Sequence, residues 1–358
     1  MDAPGGSDRH ESAAPGSPDW LPSFRAIAEY ESAAGRFAGA VLVCRGQEQV
    51  FAEAYGLADR EQGIPNQLST RFRNASLSKM FTGVAVGQLI QAGRVDPAAP
   101  VGAYLADYPN SDVATKVTIH HLLTHTGGTG DIFEPEYMSR RDQIRTVADY
   151  IALFGHREPR FEPGTGFDYS NYGYILLGAV IEQVSGQSYY DYVDEHVFTP
   201  AGMTRTGAQP EGSVPDLAVG YTGEGGQDGR NTDILPYRGR PSGGGYTTVE
   251  DLWRFATALT GHRLLDAEHT ALVTTAKLNA GWDGKCVAYG FVDRVVYGVR
   301  SIGHSGGAPG VSADLAIFPI SGYVVAVLAN ADPPVAQEVC TFISHRLPVT
   351  PRRDPFSH

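Results

Sequence analysis

Two blocks of strand-forming sequence stand near opposite ends of this chain, and their separation constrains the fold more than any other feature. The first, FAGAVLVCRGQEQVFAEAYG, reads as strands at about 37–44 and 48–55 joined by a turn at Arg45, Gly46 and Gln47. The second comprises VAYGFVDRVV, RSIGHSG, SADLAIFP and YVVAVLANAD, with Ser321 and Gly322 as a hairpin turn. Between them lie VTIHHLLTHTGG, the run from Val147 to Phe154, and YGYILLGAVIEQVSG, whose apolar positions suit a buried helix stopped by Gly186. The expectation is an α/β (α+β) fold in which the two ends build one antiparallel sheet flanked by helices, and the middle is an inserted, mainly helical region. The sheet domain is then discontinuous, 19–93 with 236–347, and the insertion is 94–235. Residues 1–18, a polar Gly/Ser/Ala/Pro-rich stretch, read as a disordered tail, with a second tail at 348–358. Further helices are expected at 20–35, Thr248–Leu259 and Val335–Arg346, and residues 213–245, rich in Gly, Asp and Pro, read as surface loop.

Composition removes several functions. With 40 acidic against 28 basic residues the formal charge is −12, and no basic run would track phosphates, so nucleic acid is not an expected partner. Cys44, Cys286 and Cys340 are odd in number and widely spaced, which reads as free thiols. No H-E-x-x-H or C-x-x-C spacing occurs, and His120 and His121, being adjacent, face different ways, so neither a metal nor an organic cofactor is expected. No stretch of about 18 apolar residues occurs, nor a basic segment leading an apolar one at the N-terminus. A cytoplasmic protein with no membrane contact is the expectation.

The chemistry is expected at Asn74–Gly83, NASLSKMFTG. Ser76 and Lys79 are three apart, so on a helix they share a face and the hydroxyl comes within reach of the amine. Such a pair arises by chance roughly once in a chain of this length. Here the chain has only four lysines, and this one sits among Leu77, Met80, Phe81, Val84 and Ala85, where a lysine is costly without a partner or a purpose. Burial lowers a lysine's pKa and makes it a candidate base for the serine nucleophile.

Two other stretches supply partners. In FEPGTGFDYSNYGYILLG, Tyr169 and Asn171 precede a helix, where Asn171 is a plausible cap. Near Lys79, an ammonium would favour the phenolate of Tyr169, which could take the Ser76 proton, and the Asn171 amide could bind a substrate carbonyl. In GHSGGAPG, His304, Ser305, Gly306 and Gly307 read either as a glycine turn or as backbone shaped for close approach of a substrate, with the N–H groups of Gly307 and Ser76 forming an oxyanion hole.

These three stretches, in order, resemble the S-x-x-K, Y-x-N and K-T-G or H-x-G motifs of the serine β-lactamase and penicillin-binding-protein superfamily, in its class C-like branch of esterases, transacylases and DD-peptidases. The resemblance runs from about Phe37 to Asn330 and includes HLLTHTGG, PGTGFDYSNYGY and TPAGM. It implies that Ser76 is the acylated nucleophile, that Lys79 and Tyr169 share the base role, and that Ser76 and Gly307 supply the oxyanion hole. Asn171, His304, Ser305 and Gly306 would contact substrate, while His125 is structural. His304 stands where many β-lactamases carry lysine, which argues against efficient β-lactamase action because histidine is mostly neutral at pH 7. The expected function is a serine acyl-enzyme hydrolase or transacylase, a carboxylesterase for example, acting on a small-molecule ester or amide with water, an amine or an alcohol as acceptor. The alternatives are a DD-peptidase or weak β-lactamase, and a non-catalytic binding protein on the same fold.

Overall fold

In the computed structural model, residues 19–223, 229–231, 235–282, 285–296 and 298–349 are described. The expected tail at 1–18 and nearly all of that at 348–358 lie outside them.

The first strand sets the architecture. In GAVLVCR all residues but the last are buried, with Ala40, Leu42 and Cys44 facing one core and Val41 and Val43 the other. A strand apolar on both faces requires cover on both sides. This strand, β1 (Gly39–Arg45), pairs with β2 (Glu48–Tyr55). The far end contributes β3 (Leu278–Trp282), β4 (Lys285–Val287), β5 (Val292–Val296), β6 (Val299–Ala308), β7 (Val311–Phe318) and β8 (Tyr323–Ala329). They form one eight-stranded sheet, ordered β2-β1-β8-β7-β6-β5-β4-β3, in which every neighbouring pair is antiparallel.

The five longest helices among the described residues are α1 (Leu21–Ala33), α2 (Ser78–Gln91), α3 (Asn171–Ser185), α4 (Val249–Thr260) and α5 (Val335–Ser344). α1 and α5 cover one sheet face through Phe24, Cys340 and Ile343, against Phe51, Val325 and Val327. α2, α3 and α4 belong to the larger core on the other face. α2 is buried nearly all round, from Ser78 to Gly87 and again at Leu89, so its residues are apolar on every side rather than in a stripe. Between α2 and α4 lie α3 and short helices such as Ser111–Lys116, Pro135–Arg140 and Val147–Phe154. The three cysteines are free thiols. Among the described residues no helix is long and apolar enough to cross a membrane, and no cluster of His, Cys, Asp and Glu could hold a metal.

Three sequence expectations change. VAYGFVDRVV is not one strand: it turns at Ala288–Phe291 between β4 and β5, because Gly290, at φ +83°, packs against the Lys79 carbonyl where a Cβ would overlap it. The strand β3, absent from the sequence reading, completes that edge. GHSGG is not a turn, since His304 to Gly307 continue β6 in register with β7. Residues 213–245 are not uniformly surface loop: Arg240 to Ser242 and Gly245 are buried, whereas 224–228 and 232–234 fall outside the described residues.

Gly303 in β6 tests the tightness of the sheet, because an added Cβ would overlap the Leu315 carbonyl oxygen of β7. Gly303→Ala should lower unfolding stability by about 3 kcal/mol or more in urea denaturation. Gly212→Ala, where nothing lies within 4 Å of the new methyl, should stay within about 0.5 kcal/mol.

Candidate active site

Ser76 lies in a single 3₁₀ turn, Ala75–Leu77, that leads directly into α2. Ala75 has φ +42° and His125, across the site, φ +61°; these are two of the four non-glycine residues with positive φ among those described. A left-handed alanine costs about 1–2 kcal/mol and persists only where its surroundings hold it. Here the Asn74 N–H donates to the Gly245 carbonyl at 2.9 Å, the Gly244 N–H to the Ala75 carbonyl at 3.2 Å, and Ser78 Oγ to Asn74 Oδ1 at 3.1 Å. The glycines at 243–245 are therefore there for close approach: a Cβ on Gly243 would lie 2.7 Å from the Ala75 oxygen.

Lys79 is fully buried one turn on. Its Nζ lies 3.2 Å from Ser76 Oγ, 2.8 Å from Asn171 Oδ1 and 2.6 Å from the Ser242 carbonyl oxygen. Burial holds its pKa well below the usual lysine range; Asp131 pulls it back up and Arg240 pushes it further down. A neutral amine has two N–H donors and one lone pair. Donating to Asn171 and Ser242, which can only accept there, leaves the lone pair for the Ser76 hydroxyl.

The Tyr169 phenol is hydrogen-bonded to the Ser76 side chain. The Lys79 Nζ is 4.7 Å from the Tyr169 ring centroid and 5.4 Å from that of Tyr174. His125 packs against Tyr169 with centroids 4.4 Å apart, and its Nδ1 accepts the Ser170 N–H at 3.2 Å, which fixes the ring beneath the tyrosine. Burial raises the Tyr169 pKa, with the Ser76 hydrogen bond opposing it. Burial thus works against the ammonium of Lys79, as its apolar neighbours led one to expect, and does not favour the phenolate of Tyr169. Nor does Asn171 cap α3. Ser170 does so, its Oγ accepting the Gly173 N–H at 2.9 Å, and this frees the Asn171 side chain for Lys79.

β6 runs alongside the serine turn. A Cβ on Gly306 would meet the Ser76 nitrogen at 2.7 Å, so only glycine lets strand and turn approach this closely. Ser76, Tyr169 and Gly307 together border two pockets. One, of about 420 Å³, is largely apolar and includes Phe133, Tyr137, Met138, Leu235 and Asn171 in its walls. The other, of about 370 Å³, has more polar side chains on its border, among them His304, Ser305, Lys285, Arg294 and Gln337. His304 is held neutral: burial and the nearby Lys79 push its pKa down to about 3, and its Nδ1 donates to the Ser305 carbonyl.

With this geometry in hand, similarity to known proteins is informative. A family model described as Beta-lactamase matches residues 24–342. Penicillin-binding protein 4 of Amycolatopsis lactamdurans is 30% identical over 314 residues, 82% of this chain and 80% of its own. The chain belongs to the beta-lactamase family. Within this family, Esterase EstB of Burkholderia gladioli is 35% identical over 193 residues, which is 49% of each chain. The crystal structure of a penicillin binding protein from Bacillus halodurans matches at a TM-score of 0.81 and 32% identity, over 91% of this chain and 100% of that one. A D-stereospecific amidohydrolase from Streptomyces sp. matches at 0.73 and 25%, over 90% and 97%. These relatives place the chain among serine acyl-transferring hydrolases and leave its substrate open.

Sequence reasoning missed two members of the constellation. Ser242 takes part through its carbonyl, which any residue type could supply. Asp131 accepts from the Asn171 backbone N–H and from Nδ2, each at 3.2 Å, and so holds the amide whose Oδ1 meets Lys79. No spacing rule links 131 to 171. Because Asp131 raises the Lys79 pKa, Asp131→Asn should lower it, moving the acidic limb of the pH–acylation profile to lower pH. Covalent labelling rates measured across pH check this; a limb that stays fixed or moves upward contradicts it.

Proposed function

We propose that the protein is a serine acyl-enzyme hydrolase or transacylase for a small-molecule ester or amide, with Ser76 as the acylated residue. The observation that carries this reading is the buried Lys79 amine 3.2 Å from Ser76 Oγ with its other two contacts both to acceptors. In the proposed reaction the Lys79 lone pair accepts the Ser76 proton as Oγ attacks the acyl carbon. The N–H groups of Ser76 and Gly307 receive the developing oxyanion. Tyr169 donates its phenolic proton to the departing alkoxide or amine and recovers one from Lys79. Water, an alcohol or an amine then attacks the acyl-enzyme by the reverse proton path and frees Ser76. Asn171 orients Lys79 through Oδ1, which supports a positioning role beside the substrate contact expected from sequence.

A neutral His304 does not supply the cation that a lysine at this position would offer a β-lactam carboxylate, which disfavours β-lactams as donors. Intact-mass measurement after exposure to a panel of activated esters and β-lactams should show one acyl adduct per chain with esters, absent in Ser76→Ala. An adduct that persists in Ser76→Ala refutes the assignment. Lys79→Ala and Tyr169→Phe should each slow acylation by about a hundredfold to ten-thousandfold. If graded amine or alcohol diverts the acyl group while acylation stays constant, transfer is part of the activity; acid as sole product across a broad acceptor panel leaves hydrolysis alone.

A further inference from the structure

The apolar pocket beside Ser76 contains a charge that its walls do not neutralise. Arg240 is only 8% exposed and borders this pocket. Its Nη1 donates to the Tyr137 hydroxyl at 2.9 Å, and the Tyr150 phenol is a second hydrogen-bond neighbour. Burial raises the Tyr150 pKa, so that phenol is neutral and leaves the cation unbalanced. The guanidinium carbon lies 5.6 Å from the Phe133 ring centroid and 5.8 Å from that of Tyr137, and Nε is buried without a hydrogen-bond partner. Among the described residues no carboxylate forms an ion pair with it, and Asp131 acts on it only at longer range. Arg294, also shielded, has Asp314 at 3.3 Å, and Arg73, which is buried and borders the same pocket, donates to the Gly244 carbonyl at 3.1 Å. Beside Arg240, Ser242 Oγ is also buried without a partner and its residue borders the same pocket.

Burying a charge without a counterion is unfavourable, and an arginine's planar donor fork matches a carboxylate. An apolar wall that includes a buried cation without a carboxylate partner suits a ligand with a hydrocarbon body and an anionic end. We propose that this pocket holds the acyl part of the substrate and that Arg240, assisted by Ser242, receives a carboxylate on it, so that the preferred donors are half-esters or half-amides of dicarboxylic acids. This rests on the reading of Ser76 as the acylated residue. Ser76 Oγ forms the new ester bond, the old acyl–oxygen or acyl–nitrogen bond breaks, the leaving alcohol or amine departs with the Tyr169 phenolic proton while Lys79 passes the Ser76 proton to Tyr169, and the second carboxylate stays paired with Arg240. In a merely structural role Arg240 would tie the Pro135–Arg140 and Val147–Phe154 helices to the 240–244 turn, and its loss would slow all acyl donors alike.

Matched p-nitrophenyl esters separate the two roles: mono-esters of glutarate and adipate against valerate and hexanoate, each pair equal in carbon count. The wild type should favour the anionic member of at least one pair by tenfold or more in kcat/KM. Arg240→Met should bring the ratio to one or below, whatever happens to the absolute rates. Met138→Glu, at a half-exposed position on the same wall, should lower the ratio by repulsion and guards against a misfolded Arg240 variant. Equal or better turnover of the neutral ester in both wild-type pairs, or a preference that survives Arg240→Met, overturns the proposal while Ser76 acylation by valerate stands. If no ester acylates Ser76, the acyl-enzyme reading itself falls and this proposal with it.

Discussion

The amine of Lys79 has been taken out of water and set between two acceptors and the Ser76 hydroxyl, and the surrounding structure follows from that constraint. A buried ammonium with no carboxylate in contact is unfavourable, so burial draws the pKa of this amine well below the usual lysine range. Holding the lone pair toward Ser76 requires the other two contacts to be rigid. Asn171 is rigid because Ser170 takes over the cap of α3 and Asp131 holds the amide. Ser242 is rigid because the 240–245 segment is bonded to the serine turn and to α2, where Thr82 Oγ1 donates to the Pro241 carbonyl at 2.6 Å. The same packing forces Ala75 into its left-handed conformation and requires glycine at 243, 290 and 306. Strain and close approach are thus concentrated where the chemistry is placed.

The sheet connects this arrangement to distant parts of the chain. β6 reaches the serine turn from the C-terminal block, β1 closes the sheet from the N-terminal block, and α2 and α3 meet on one face of it. Two pockets meet at Ser76, one with a largely apolar wall and one with more charged and polar side chains on its border.

Much of this was legible in sequence because it depends on side chains at short spacings. Ser76 and Lys79 share a helical face, and a lysine in so apolar a stretch of a lysine-poor chain demands a reason. The strand-forming runs at GAVLVCR and after residue 287 made the antiparallel sheet legible. What was not legible depends on backbone groups and on distance. Ser242 contributes a carbonyl, Asp131 acts from forty residues upstream of Asn171, and glycine signals a turn and a close approach with the same letter. That ambiguity made GHSGG read as a possible turn and RPSGGG as surface, and it hid the turn at Gly290. Burial of the Lys79 amine was legible in its apolar neighbours, whereas the burial that raises the Tyr169 phenol depends on packing that no local spacing shows.

Direct titration of the Lys79 amine tests the central claim. The chain has only four lysines, so lysine-selective ¹⁵Nζ and ¹³Cε labelling yields a spectrum in which Lys79 is assigned by its loss in a Lys79→Arg variant. The account predicts that the Lys79 resonances report a neutral amine at pH 7 and titrate far below the other three. A Lys79 signal that remains that of an ammonium until pH 10 would contradict it.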